Sequence, residues 1–328
     1  MPNVTQVQIA RLANVDRTTV SKIINGYQLD QFSLPVIEKV KTAALELGYK
    51  LNKRKDSLNI GLIFPLPVGA LKVYSNSFRI LEAIMGISNA LRGTCHSFHV
   101  VNYSDDIKPA LGQADAYLVW EVPSNNLLKK MDDSGIKYIV LNRITSDYAG
   151  SYVIHNDIRA FEMSAEHLIS ANHKNIAFVA DRPPKEINNY LLAISAVLQK
   201  HGFNFTDSNF FFLSEENNNN QNILKYLEKN KITGIISNND VVGYRVIDII
   251  SSSGKKIPQD YSIIINNFID TCYFNFLKPT GIKTPWYEVA MQGAEILISK
   301  LKKKSNYKWM IHEIIEPKII VGNTVKTL

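Results

Sequence analysis

The stretch Thr5-Gln-Val-Gln-Ile-Ala-Arg-Leu-Ala-Asn-Val-Asp-Arg-Thr-Thr-Val-Ser-Lys-Ile-Ile-Asn25 reads as two short helices joined by a tight turn. Thr5 is placed to cap the first helix, in which Ile9, Leu12 and Ala13 recur at helical spacing. Asn14 falls where the chain must reverse, and Asn tolerates the left-handed conformation better than most residues. Asp16 is placed to cap the second helix, where a carboxylate accepts backbone N–H bonds and complements the helix dipole. Val20, Ile23 and Ile24 lie on one face of that helix, and Arg17, Thr18, Ser21 and Lys22 on the other. The polar face carries the right donors for base edges. Arg17 and Lys22 suit guanine O6 and N7, and Thr18 offers a hydroxyl or a methyl. The pattern is a helix-turn-helix with Arg17 to Asn25 as its recognition helix.

Helices this short are not stable alone, so their apolar faces need a partner. Ser33 and Pro35 open a third helix whose stripe is Ile37, Val40, Ala44 and Leu47, with Gly48 placed to end it. The DNA-contact candidates in the head are therefore Thr5, Arg17, Thr18, Ser21, Lys22 and Asn25. Beyond it, Lys53, Arg54 and Lys55 lie in a basic linker that either runs along phosphates or is a plain charged tether.

The chain has 328 residues, 45% hydrophobic and 20% charged, which is ordinary for a globular protein with a large core. The formal net charge is +7. Residues 1–59 hold nine Lys and Arg against five Asp and Glu, so the basic excess is concentrated in the head. Two cysteines, Cys95 and Cys272, lie far apart, and the seven histidines show no metal-ligand spacing. No cofactor is expected, since no phosphate-binding glycine loop follows a strand, and no nucleophile elbow appears. The expectation is a cytoplasmic protein with no leader and no membrane span.

From Ile60 onward short apolar runs alternate with amphipathic segments. Strands are predicted at residues 60–64, 98–103, 116–120, 138–141, 176–180, 210–213, 232–237 and 262–265. Helices are predicted at 78–91, 158–170, 187–200, 221–230, 241–252 and 286–301. The Asn217–Asn220 run reads as a loop. Alternation over this length implies parallel sheets covered by helices, and too many strands for one sheet of usual size, hence two similar α/β lobes with a cleft. The predicted fold is a three-helix head (1–50), a linker (51–59) and a two-lobed core (60–328).

The sequence resembles the lactose-repressor (LacI) family of bacterial transcription regulators over nearly its whole length. The head residues Val4-Thr5, Ile9-Ala10, Ala13-Asn14-Val15-Asp16, Thr19-Val20-Ser21 and Asn25 follow that family's DNA-binding signature. Leu47-Gly48-Tyr49, Ile60-Gly61-Leu62-Ile63, His167-Leu168-Ile169, His173-Lys174-Asn175-Ile176, Asn239-Asp240 and Pro317-Lys-Ile-Ile-Val321 match in order. The resemblance implies a homodimer on near-palindromic double-stranded operator DNA. Its core would have the fold of periplasmic sugar-binding proteins and take a small-molecule effector, such as a sugar. It also implies crossovers near His155-Asn156, Thr284-Pro285 and Glu316-Pro317, giving lobe 1 about 60–155 and 285–315, and lobe 2 about 156–284 and 316–328.

Departures from the family pattern bear on mechanism. About half of the usual hinge-helix segment is missing between Asn52 and Ile60, leaving Leu58 as the available apolar wedge. In the effector site, Tyr190 stands where an Arg is usual and either faces ligand or belongs to the core, Asn267 stands where an Asp is common, and Asn142-Arg143 where Asp-Arg is frequent. Asn239 is retained, and either caps the following helix or touches ligand. Phe78 either stacks on ligand or seals its lobe. The effector candidates are thus Phe78, Asn142, Arg143, Tyr190, Asn239 and Asn267. Competing readings are an enzyme or a solute-binding protein on the same core.

Overall fold

A computed structural model describes residues 4–25, 27, 31–49, 57–64, 70–102, 111–121, 125–145, 148–213, 220–268, 277–303 and 310–328. The head is three helices, α1 (Gln6–Ala13), α2 (Arg17–Ile24) and α3 (Leu34–Glu46). They share one core, in which Ile9, Ala13, Val20, Ile23, Val40, Ala43 and Ala44 are buried. Two of the expected stripe residues fall elsewhere. Leu12 is 48% exposed, because the buried face of α1 runs through Ile9, Ala13 and Ala10 and Leu12 falls outside it. Leu47 lies past the last turn of α3 and is only partly buried, while Ala43 supplies the missing contact. Ser33 holds the N-cap position of α3 without a side-chain capping bond. Gly48 leaves the helix at φ +68, as a helix-ending glycine does.

The remaining chain forms two six-stranded sheets. The first contains β1 (Asn59–Phe64), β2 (Ser97–Asn102), β3 (Ala116–Trp120), β4 (Tyr138–Asn142), β5 (Tyr152–His155) and β11 (His312–Ile315), in the order β11-β5-β4-β3-β1-β2. The second contains β6 (Ile176–Ala180), β7 (Phe210–Phe212), β8 (Gly234–Ser237), β9 (Ser262–Asn266), β10 (Thr280–Lys283) and β12 (Lys318–Ile320), in the order β12-β10-β9-β8-β6-β7. The helices are α4 (Ala70–Ala90), α5 (Asn125–Asp133), α6 (Asp157–Ser170), α7 (Asn188–Lys200), α8 (Asn220–Lys229), α9 (Asp240–Ser252) and α10 (Trp286–Lys302). The chain divides into two compact units, Met1–Val153 with Tyr287–His312, and Ile154–Trp286 with Glu313–Leu328.

Strands β3, β6 and β9 are buried along their entire length, because parallel strands covered by helices on both faces read as unbroken apolar runs. The strands not anticipated are β5, β10, β11 and β12, of three or four residues each; β11 and β12 carry mostly exposed or half-exposed side chains. Helix α5 was also not anticipated, and α4 begins at Ala70, well before the expected Phe78. Asn220 opens α8 and is not loop; residues 217–219 of that run lie outside the described residues.

The two sheets repeat one plan. Strands β2-β1-β3-β4-β5 and β7-β6-β8-β9-β10 follow the same order, so each unit reverses its winding direction once. The reversals lie between β1 and β3 and between β6 and β8. In open α/β sheets such a point leaves a crevice beyond the carboxyl ends of the two flanking strands.

Candidate nucleic-acid interface and ligand edges

In the head, α1 is opened by Thr5, whose backbone N–H donates to Gln8 Oε1 at 2.8 Å. Asn14 adopts φ 51, ψ 51 and turns the chain by the left-handed conformation its side chain tolerates. Asp16 then caps α2, with Oδ1 accepting from the Thr19 N–H at 2.8 Å and Oδ2 from the Thr19 hydroxyl at 2.5 Å. These bonds from Thr19 hold the Asp16 carboxyl below the usual carboxylate range. With Val20 and Ile23 buried, the opposite face is left with Arg17 and Thr18 exposed and Ser21 and Lys22 half-exposed. Asn25 donates through Nδ2 to Ser21 Oγ at 3.3 Å, so these two DNA candidates also hold each other. Lys53, Arg54 and Lys55 lie outside the described residues.

In the first unit the carboxyl ends of β1 and β3 bring Phe64 and Trp120 into a stacked pair, 5.5 Å between centroids. Glu121 follows β3 at φ 61 and Asn142 ends β4 at φ 73. Left-handed conformations in non-glycine residues are strained and concentrate at functional edges. Asn142 is buried and donates through Nδ2 to Glu121 Oε1 at 2.8 Å, while its Oδ1 has no hydrogen-bond partner. Arg143 follows directly, its N–H donating to the Leu141 carbonyl at 2.9 Å. Phe78 lies half-buried on α4.

In the second unit Asn239 caps α9, its Oδ1 accepting from the Val242 N–H at 2.8 Å. Its Nδ2 is still committed, donating to Asp181 Oδ2 at 3.1 Å. Asn238 Nδ2 donates to the other oxygen of the same carboxylate at 2.8 Å. Asn267, at φ 51, accepts the Thr284 hydroxyl at 2.7 Å. Tyr190 stacks on Phe161 at 4.2 Å and donates its hydroxyl to Asp157 Oδ2 at 3.1 Å. Asp157 Oδ1 lies 2.6 Å from His155 Nε2. The pattern reading missed Asp181, Asn238, Asp157 and His155. None of them recurs with a period, and the sheet order is what assembles them.

Residues 165–325 match the family model described as a periplasmic binding protein-like domain. The HTH-type transcriptional repressor PurR of Vibrio campbellii is 25% identical over 335 residues, covering 98% of each chain. Among solved structures, the transcriptional regulator CelR in complex with cellobiose superposes with a TM-score of 0.64 at 20% identity, covering 98% of this chain and 100% of that one. The lac repressor dimer bound to operator and the anti-inducer ONPF gives 0.65 at 18% identity, covering 99% and 100%. Among the described residues no helix is long and apolar enough to cross a membrane. These relatives are named as regulators of transcription, and the chain is similar to them from the head through the core.

Proposed function

We propose that the protein is a sequence-specific repressor that acts in the cytoplasm as a homodimer, places two heads on a near-palindromic operator, and is regulated by a small ligand on its core. The observation that carries the DNA reading is the head itself. The Asn14 turn and the Asp16 cap orient α2 so that burial of Val20 and Ile23 leaves Arg17 and Thr18 facing outward. An exposed arginine in the first turn of a recognition helix suits bidentate contact with guanine. Ser21, Lys22 and Asn25 extend the same face, and Thr5 opens the helix before it. Lys53, Arg54 and Lys55 contribute phosphate contacts that position the head without reading sequence. The ligand reading rests on the strand-end edges, with Asn142 and Arg143 after β4 in the first unit and Asn239 and Asn267 after β8 and β9 in the second; Tyr190 on α7 and Phe78 on α4 are carried as candidates from the family resemblance, and a sugar is the ligand class.

Mobility-shift titration of the full chain against genomic fragments tests this. Specific fragments should be retained at protein concentrations that leave random DNA free. Arg17→Ala should cost about 1–3 kcal/mol on the specific site and relax preference at particular base pairs. Lys53→Ala should weaken all sequences alike and flatten the salt dependence. Equal loss on specific and random DNA in Arg17→Ala would remove the base-reading role.

A further inference from the structure

We propose that His96 is a proton-operated clasp on the chain where it enters the core: the neutral imidazole holds Leu58 against the first sheet, and protonation releases it and weakens operator binding. The inference rests on the operator-binding reading above.

Leu58 directly precedes β1, so the head is joined to the core through it. Helix α4 ends at Ala90, and a turn returns the chain to β2. Gly93 takes φ +74 in that turn. The Thr94 hydroxyl donates to the Leu91 carbonyl at 2.7 Å and accepts the His96 N–H at 3.2 Å, which fixes His96 beside the chain entry. Leu58 is then bracketed by consecutive residues. Its N–H donates to His96 Nδ1 at 3.0 Å, and its carbonyl accepts the Ser97 N–H at 2.9 Å. The next N–H, that of Asn59, donates to Asp115 Oδ2 at 2.6 Å. Both backbone donors at the entry are held by side chains that titrate, where the interior of a sheet would supply carbonyls.

The bond to His96 allows one protonation state. A backbone N–H can only donate, so Nδ1 must keep its lone pair and the proton of the neutral ring sits on Nε2. A second proton fills that lone pair, sets N–H against N–H, and turns an attraction into a repulsion. Imidazole is the side chain whose ordinary titration falls between about pH 5 and 8, and His96 is half-buried, so protons reach it. The sign follows. The clasp is closed above the titration of His96 and opens as pH falls through it. His99 is set differently: its Nδ1 lies 3.3 Å from Asn59 Oδ1, an acceptor, so it donates there whether the ring is neutral or charged. The other titratable or charged groups at this entry are Asp115, already bound to Asn59, and Arg92 and Cys95 of the same turn. Opening moves the first held residue from Leu58 to Asn59. The tether to the head gains one residue, about 3.5 Å of reach, and a looser tether lowers the effective concentration of the second head at its half-site.

The test uses the full chain between about pH 8 and about pH 5.5. NMR with leucine labelling follows the Leu58 amide and reads the clasp without DNA. Mobility-shift titration on a two-half-site operator reads the consequence. The Leu58 resonance should titrate, and operator affinity should fall about threefold or more beyond any fall seen in His96→Asn. That variant keeps an oxygen acceptor that cannot be protonated, so it should bind as the parent does at the upper pH and leave the Leu58 resonance flat. His96→Leu removes the acceptor and should bind at the upper pH with the weakened affinity of the parent at the lower; the asparagine variant carries the test if the leucine variant fails to fold. By reciprocity, operator occupancy should move the Leu58 titration to lower pH. A Leu58 resonance that does not titrate, or a His96→Asn affinity that falls with pH as the parent's does, would overturn the proposal. If no fragment is retained at any pH, the operator reading has failed, and the Leu58 titration alone decides the clasp.

Discussion

At residue scale the head depends on how one carboxylate is held. Asp16 is fully at the surface, yet it accepts from both the backbone N–H and the hydroxyl of Thr19. Its folded pKa therefore lies below the unfolded value of about 3.9, and the sign of the linkage follows. The cap contributes stability above the unfolded pKa and loses it as pH falls through the lower folded value. Between neutrality and about pH 5 the bond should be insensitive to pH. The Thr19 amide resonance, followed by NMR, should titrate with a midpoint below about 3.9, and Asp16→Asn should abolish that titration while keeping an acceptor. A midpoint at or above the unfolded value would mean the carboxylate is not held by the amide. This cap was legible from the sequence, because Asp before an apolar-periodic run has a fixed geometric meaning. Asp181 and Asn238 were not. Their roles arise from strands distant in sequence lying side by side, and no local pattern encodes that pairing.

At the scale of elements, apolar runs such as Ala116–Trp120 and Ile176–Ala180 announced themselves because strands buried on both faces have no polar positions. The short edge strands β11 and β12 did not, since exposed three- and four-residue segments carry no such run. Helix α4 shows what packing adds to pattern. A Cβ on Gly86 would collide with the Tyr287 carbonyl oxygen, and would sit 3.0 Å from the Met291 backbone nitrogen. Helices α4 and α10 thus meet backbone to backbone, where no side chain can yield. Gly86→Ala should destabilise the protein by about 1–3 kcal/mol despite its better helix propensity. A rise in the unfolding midpoint in urea would contradict the contact. The segment leading into β1 is likewise fixed. The Leu58 N–H donates to His96 Nδ1 at 3.0 Å, and its carbonyl accepts from the Ser97 N–H at 2.9 Å. A residue tied into strand pairing is poorly placed to enter a minor groove. Leu58→Ala should change operator affinity by less than about 0.5 kcal/mol, as ordinary surface substitutions do. Bending of the operator, read by circular-permutation mobility, should stay small, because no apolar wedge unstacks a base step. A large affinity loss with loss of a central kink would show that a wedge operates.

At the scale of the whole molecule, the proposed binding to a near-palindromic operator requires two heads, and one chain supplies one. Helix α4 presents Leu81 and Met85 at i and i+4, 49% and 53% exposed, on a helix whose Gly86 is turned inward against α10. Phe78, three residues before Leu81, continues the stripe. Single exposed apolar residues need no explanation, but a stripe along one helix is what a two-fold contact would cover. Sedimentation of the full chain at micromolar concentration should show a dimer. Leu81→Glu combined with Met85→Glu places like charges across the two-fold contact and should yield a folded monomer. The consequence for DNA follows from effective concentration. Once one head is bound, the second binds as an intramolecular event, and tethering of this kind raises affinity by about 10²–10⁴-fold without any new contact. The monomeric double variant should therefore lose that factor on a two-half-site operator while binding an isolated half-site as the parent protein does. Moving the half-sites apart by half a helical turn should impose the same loss on the unmodified dimer, because both heads then cannot face the major groove together. A double variant that remains dimeric would assign the contact to another face. A monomer that keeps full operator affinity would remove the need for two heads.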